Sequence, residues 1–225
     1  MIEQLREKLQ NSTSIIGKRD YFNSAVLVPM ILFEDGYHLL FQKRAANIRQ
    51  GGEISFPGGE YDPRQDKDFV ETALRETVEE LGIEKEKIEL IGRMNLYIAP
   101  MGVTVDPVLG ILKIKNISEL NIDKNEVESV FTVPLKFFLE NQPEIYSSRI
   151  VIEPYYIDEK GEKIDLLPVK ELKLPERYLE RRIGKSAKVY VHRVENEVIW
   201  GITAGITREL VRLIKNEPEM PNCCV

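Results

Sequence analysis

The chain has 225 residues, more than one typical domain and short of two. It is 43% hydrophobic and 30% charged, the balance of a folded globular protein rather than a disordered one. A formal net charge of −6 argues against a general nucleic-acid binder, and no apolar run approaches the roughly 18–20 residues of a membrane helix.

Taken in chain order, Ile2 to Leu9 reads as a short amphipathic helix, and the opening residues do not have the pattern of a secretory leader. Ala25 to Phe33 is an apolar run of strand length. Glu34-Asp35-Gly36 is a turn, and Tyr37 to Lys43 returns as the hairpin partner. A Gly-rich loop spans Gly51 to Gly59, and Asp68 to Leu81 is the clearest helix. Strands are expected near Ile88–Ile98, Val103–Ile114 and Val127–Val133, with a short helix from Leu135 to Glu140 after Pro134. Glu159 to Lys188 is charged and irregular, an inserted excursion rather than a domain. Tyr190 to Val194 and Val198 to Gly201 form a late hairpin, and Thr203 to Lys215 closes as a helix. The two cysteines, Cys223 and Cys224, are adjacent in a Pro-containing tail, so neither a core disulfide nor a CxxC zinc pair is available. The setting expected from this is reducing and cytoplasmic.

The informative segment runs from Phe56 to Ile83. Asp68 sits at an N-cap position with Glu71 three residues on, like a capping box, and Gly82 is placed to end the helix. Val70, Leu74, Val78 and Leu81 fall on one face, predicted to meet the core. Glu76, Glu79 and Glu80 fall together on the opposite face at i, i+3 and i+4. Like charges at that spacing repel, and a hard divalent cation converts the repulsion into a binding site. Alone, such a trio is more often a solvated acidic face. Upstream, Phe56-Pro57-Gly58-Gly59 lets backbone amides and carbonyls approach a metal or phosphate closely. A glycine turn feeding an acid-faced helix is the more specific signal. Lys43, Arg44 and Arg49 gather three cations beside that loop, suited to an anionic, nucleotide-like ligand or else to a solvated basic turn. Trp200 reads as core, and His38 and His192 have no partner spacing for a metal.

Arg75-Glu76-Thr77-Val78-Glu79-Glu80-Leu81-Gly82-Ile83 resembles the signature box of the Nudix hydrolases, with Thr77 in place of an aliphatic residue. Where the strict pattern holds a Gly and a Glu before the Arg, this chain has Tyr61 and Lys67. The acidic partner of Arg75 is then Asp66 or Glu71. Leu39 to Ala45, Arg49, Gly52 and Phe56 to Gly59 are similar to the signature of the coenzyme A pyrophosphatases of that family, as is Ile199 to Ala204.

The resemblance implies an α+β fold, a Nudix-type mixed sheet sandwiched between helices. A single domain would have its core at about 24–215, a short N-terminal helix, the 159–188 excursion and a flexible tail 216–225. It also implies Mg²⁺ or Mn²⁺ on Glu76, Glu79, Glu80 and the Gly59 carbonyl, with Glu79, Glu80 or Glu126 acting in catalysis. Glu128 is a further candidate base by position, and both it and Glu126 are equally a polar loop before a strand. Lys43, Arg44, Arg49, Gly58 and Arg75 would bind substrate. The implied partner is a small-molecule nucleotide, with no nucleic acid or membrane, and family analogy points to a homodimer. Coenzyme A or acyl-CoA is the leading substrate. ADP-ribose, NADH or another nucleoside diphosphate derivative is a second reading, and a non-catalytic nucleotide-binding protein is a third.

Overall fold

The computed structural model describes residues 2–10 and 15–217, so the expectations for the cysteines and for the tail beyond 217 lie outside the described residues. The chain opens with α1 (Ile2–Gln10), as the sequence predicts. The apolar run becomes β1 (Phe22–Phe33), and β2 (Gly36–Arg44) returns beside it, antiparallel, with Phe33 opposite Gly36. The Gly-rich loop contributes β3 (Ile54–Ser55) and β4 (Gly58–Glu60), which pair with β2 and β1 respectively. After α2 (Phe69–Leu81), the next predicted strand divides into β5 (Ile88–Arg93) and β6 (Tyr97–Ala99). Both pair with β7 (Val103–Leu112). β8 (Val127–Pro134) lies along β2 and leads into α3 (Leu135–Glu140).

These strands make one eight-stranded sheet in which β1 and β7 run parallel and the remaining pairings are antiparallel. Alternation along each strand decides what each face meets. Ala25, Leu27, Ile31 and Leu40 face α2, where Ala73, Leu74 and Leu81 pack on them. Val28, Leu39 and Phe41 face the other way, onto Phe138 of α3 and onto Ala204, Ile206 and Leu210 of the final helix. The mixed sheet therefore lies between helices, the α+β architecture expected. Each fully buried Leu contributes about 2–3 kcal/mol of burial free energy.

The segment after α3 departs from expectation. β9 (Glu144–Ile152) pairs with β12 (Arg182–Val194) in a long antiparallel ribbon, with β10 (Tyr155–Ile157) and β11 (Lys163–Asp165) paired between them. The stretch read as irregular from 159 to 188 thus holds β11 and the first half of β12. β12 turns back into β13 (Glu197–Trp200), the predicted late hairpin, and α4 (Gly201–Ile214) closes the described chain. Trp200 is not core. Its neighbour Ile199 is fully buried, and alternation leaves Trp200 45% exposed. His192 is buried against Phe137 and Phe138, and burial lowers its pKa. No described helix is long and apolar enough to cross a membrane.

Both ends of α2 are set locally. The Asp68 side chain accepts from the N–H of Val70 and Glu71, at 2.9 and 3.0 Å. Glu71 accepts from Lys67 N rather than from Asp68 N, so the predicted capping box closes one residue early. Gly82 ends the helix at φ 59°, and a Cβ there would lie 2.1 Å from the Asn121 carbonyl oxygen. Gly82→Ala is therefore expected to lose about 2 kcal/mol or more of stability, strain and clash together. Gly92→Ala, where a Cβ meets nothing within 4 Å, is the matched control and should stay within about 0.5 kcal/mol. Chemical denaturation of the two variants checks the contrast.

Candidate active site

Arg75 is the hub of the site. Its Nε and Nη2 donate to the two carboxylate oxygens of Asp66 at 2.8 and 3.0 Å, a bidentate pair. Asp66 is therefore the acidic partner, and Glu71, the alternative, is engaged at Lys67. The Asp66 side chain is also held by the Thr72 hydroxyl and the Asp62 N–H. Arg75, above all through its hydrogen bond, holds the Asp66 carboxyl below the usual range, and the same bond raises the Arg75 pKa.

The third nitrogen, Nη1, donates to Glu76 at 2.8 Å and to Glu79 at 3.0 Å. Those two carboxylates thus share a cation supplied by the chain. Glu80 is turned elsewhere. The helix periodicity predicts an exposed acidic face, yet Glu80 is only 2% exposed, because the Gly58–Glu60 strand folds over it. Its Oε2 accepts from the Gly58 N–H at 2.9 Å, and Arg44 Nη1 stands 3.9 Å from Oε1. Burial pushes the Glu80 pKa up to about 7, against the pull of Gly58, Gln42 and Arg44. Gln42 is fully buried beside Glu80, and neither of its amide atoms makes a well-formed hydrogen bond.

Glu76 has its pKa raised chiefly by burial, opposed by Arg75 and reinforced by the charges of Glu79 and Glu126. The structure thus brings Glu126 towards the box helix. Gly59 makes room for this arrangement: a Cβ on it would sit 2.4 Å from the Glu76 carboxylate. Gly58 is equally constrained, at φ 153° with its Cβ position 2.2 Å from the Ala25 carbonyl oxygen.

The basic cluster separates. Successive side chains of β2 point to opposite faces, so Arg44 joins Glu80 while Lys43 goes to the α4 face. There Lys43 pairs with Glu197 at 3.1 Å and Glu128 at 3.9 Å. Arg49 lies over the Phe22 ring, and its carbonyl accepts from Arg44 Nε. Of the three cations, Arg44 alone pairs with a box glutamate. Sequence reasoning missed Gln42, although a polar residue following Leu39-Leu40-Phe41 on the Arg44 side was its visible signal.

Among the described residues, no three His, Cys, Asp or Glu side chains converge into a ready metal cage. Glu76 and Glu79 are instead joined through Arg75 Nη1, which donates to both. The donor set nevertheless fits a hard cation. It is all oxygen, two of its carboxylates are sheltered from water, and the absence of a side chain on Gly59 lets the Glu76 carboxylate lie directly against that backbone.

The model of the NUDIX domain matches residues 23–182, and the chain belongs to the Nudix hydrolase family, pyrophosphohydrolases that act on acid anhydrides. Enzymes of this family generally need a divalent metal. Over 197 residues, the chain is 29% identical to a protein of Photorhabdus laumondii named uncharacterized Nudix hydrolase NudL, covering 86% of this chain and 85% of that one. It is 35% identical to the mitochondrial coenzyme A diphosphatase NUDT8 of Mus musculus over 147 residues, 64% of this chain and 69% of the relative. Identity to the peroxisomal coenzyme A diphosphatase NUDT7 of Mus musculus is also 35%, over 130 residues, 57% and 53% of the two chains.

Asp66 carries a sign-specific expectation. Its folded pKa is depressed, so its contribution is present above the ordinary Asp range near pH 4 and fades as pH falls through the lowered value. Asp66→Asn should cost about 2 kcal/mol at pH 7, seen as a Tm drop of about 4–8 °C. The gap to wild type should narrow below about pH 4. Thermal scans at pH 7 and pH 3 test this, and a gap that does not narrow contradicts the pairing.

Proposed function

We propose that the protein hydrolyses the diphosphate linkage of coenzyme A or acyl-CoA, giving 3′,5′-ADP and 4′-phosphopantetheine or its acyl form. The observation that carries this reading is Arg44. It sits in the segment resembling the coenzyme A pyrophosphatase signature, and its guanidinium reaches to 3.9 Å from the most buried glutamate of the box. A guanidinium in that position suits bidentate binding of a phosphate beside the acids that would hold the cation. The two relatives named coenzyme A diphosphatases support the same substrate class.

In this mechanism Glu76, Glu79, Glu80 and the Gly59 carbonyl would hold Mg²⁺ or Mn²⁺. When bound there, such an ion would supply charge neutralisation at the phosphoryl oxygens and lower the pKa of bound water. Arg75 orients Glu76 and Glu79 from its anchor on Asp66. Gly58 N–H fixes the Glu80 carboxylate. Arg44 steadies the diphosphate in line for attack, and Arg49 holds Arg44 by its carbonyl while adding charge nearby. Glu126, whose charge is felt at Glu76, is the general base of this reading. Lys43 braces the neighbouring strand ends through Glu128 and Glu197. A single domain built on about residues 24–215 carries all of these groups.

The test is incubation of purified protein and Mg²⁺ with coenzyme A, ADP-ribose and NADH, with products separated by chromatography. Coenzyme A should be cleaved to 3′,5′-ADP at the highest kcat/KM of the three. Glu80→Gln should lower that turnover by about 10²–10³-fold while circular dichroism is unchanged. Exclusive turnover of ADP-ribose, or wild-type rates in the variant, overturns the assignment.

A further inference from the structure

Gln42 is fully buried within β2, and among the described residues neither atom of its amide makes a formed hydrogen bond. Strand β8 runs along one side of it and β3 along the other, so Val130 and Ser55 are its cross-strand neighbours. The Ser55 hydroxyl is buried and unpartnered as well. Residues opposite one another on an antiparallel ladder share a face. Alternation along β2 sets that face with Leu40 and Arg44, towards α2 and Glu80. Three orphaned polar atoms thus gather beside one carboxylate. Burying an unsatisfied polar group is destabilising, and an apolar side chain in this strand would avoid it. We propose that Gln42, backed by Ser55, is a positioning residue that fixes the Glu80 carboxylate for a divalent cation.

The hydrogen bonds at Glu80 leave that task open. Its Oε2 accepts from the Gly58 N–H at 2.9 Å, whereas Arg44 stands 3.9 Å from Oε1, beyond hydrogen-bond reach. Among the described residues, one formed hydrogen bond therefore holds the carboxylate. The Gln42 amide already favours the charged form of Glu80, so its donor end faces that group.

Two bonds would satisfy all three orphans at once. Gln42 Nε2–H donates to Glu80, and the Ser55 hydroxyl donates to Gln42 Oε1. With Gly58 and Gln42 both donating, the carboxylate keeps one orientation towards the ion, which is what hydrogen-bonded partners of metal-binding carboxylates supply. Gln42 has no solvent exposure, so it does not touch substrate and acts only through Glu80.

The role rests on the reading of the box glutamates as a cation site, and its test uses the metal alone. Mn²⁺ is titrated into the full chain without substrate, and the free ion is followed by electron paramagnetic resonance. Gln42→Met keeps the length of the side chain and removes both polar atoms. It should weaken Mn²⁺ binding by about tenfold, and Ser55→Ala by a smaller factor. Because Gln42→Met removes orphaned atoms from the interior, its Tm should equal or exceed that of the wild type. A purely structural glutamine gives the opposite pattern. Unchanged Mn²⁺ affinity in Gln42→Met, or a fall in its Tm of more than about 4 °C, overturns the positioning role and leaves the cation site standing. No Mn²⁺ binding to the wild-type chain overturns both together.

Discussion

One guanidinium organises the site. Arg75 is gripped from behind by Asp66, whose side chain has no solvent exposure, and offers its remaining nitrogen to Glu76 and Glu79. A buried carboxylate without a partner is strongly destabilising, so the loop carrying Asp66 and the helix carrying Arg75 are locked in one relative position. The β4 strand is then fixed across the helix, with Gly59 against Glu76 and Gly58 donating to Glu80. Acids that would repel one another are thus held close by neighbours that each satisfy one oxygen.

The consequence is a site of mixed character. Glu79 is largely exposed, Glu76 half-buried and Glu80 buried, and burial raises the pKa of Glu76 and Glu80. Arg44 meets this gradient at its buried end. Lys43, one residue earlier, is sent by strand alternation to the far face, where it braces β2 against β8 and β13. One strand therefore serves the acid site with its even-numbered residues and the Trp200 side with its odd-numbered ones.

Much of this was legible in the sequence where the signals are local. The β1–β2 hairpin follows from an apolar run, a turn and a second run. The α2 ends follow from Asp68 and Gly82, and the box motif identified the family. What stayed hidden depends on distant chain. Helical periodicity places Glu80 off the face that holds Leu74, but it does not show that β4 folds over that side as well. The β12 strand escaped notice because its first half, Arg182 to Lys188, is charged and exposed, and only pairing with β9 makes it a strand. Residue type alone predicts Trp200 as core, whereas alternation from the fully buried Ile199 leaves it half exposed. The choice of Asp66 over Glu71 was open for a similar reason: both are within reach in sequence, and the fold decides.

The claim on which the account turns is that these glutamates form a cation site once a cation is offered. Crystals grown with Mn²⁺ and measured at the manganese edge test it directly. The account predicts an anomalous peak between the Glu76 and Glu80 carboxylates, with Arg75 still paired to Asp66. No peak there, with Arg75 Nη1 still on Glu76 and Glu79, would contradict it.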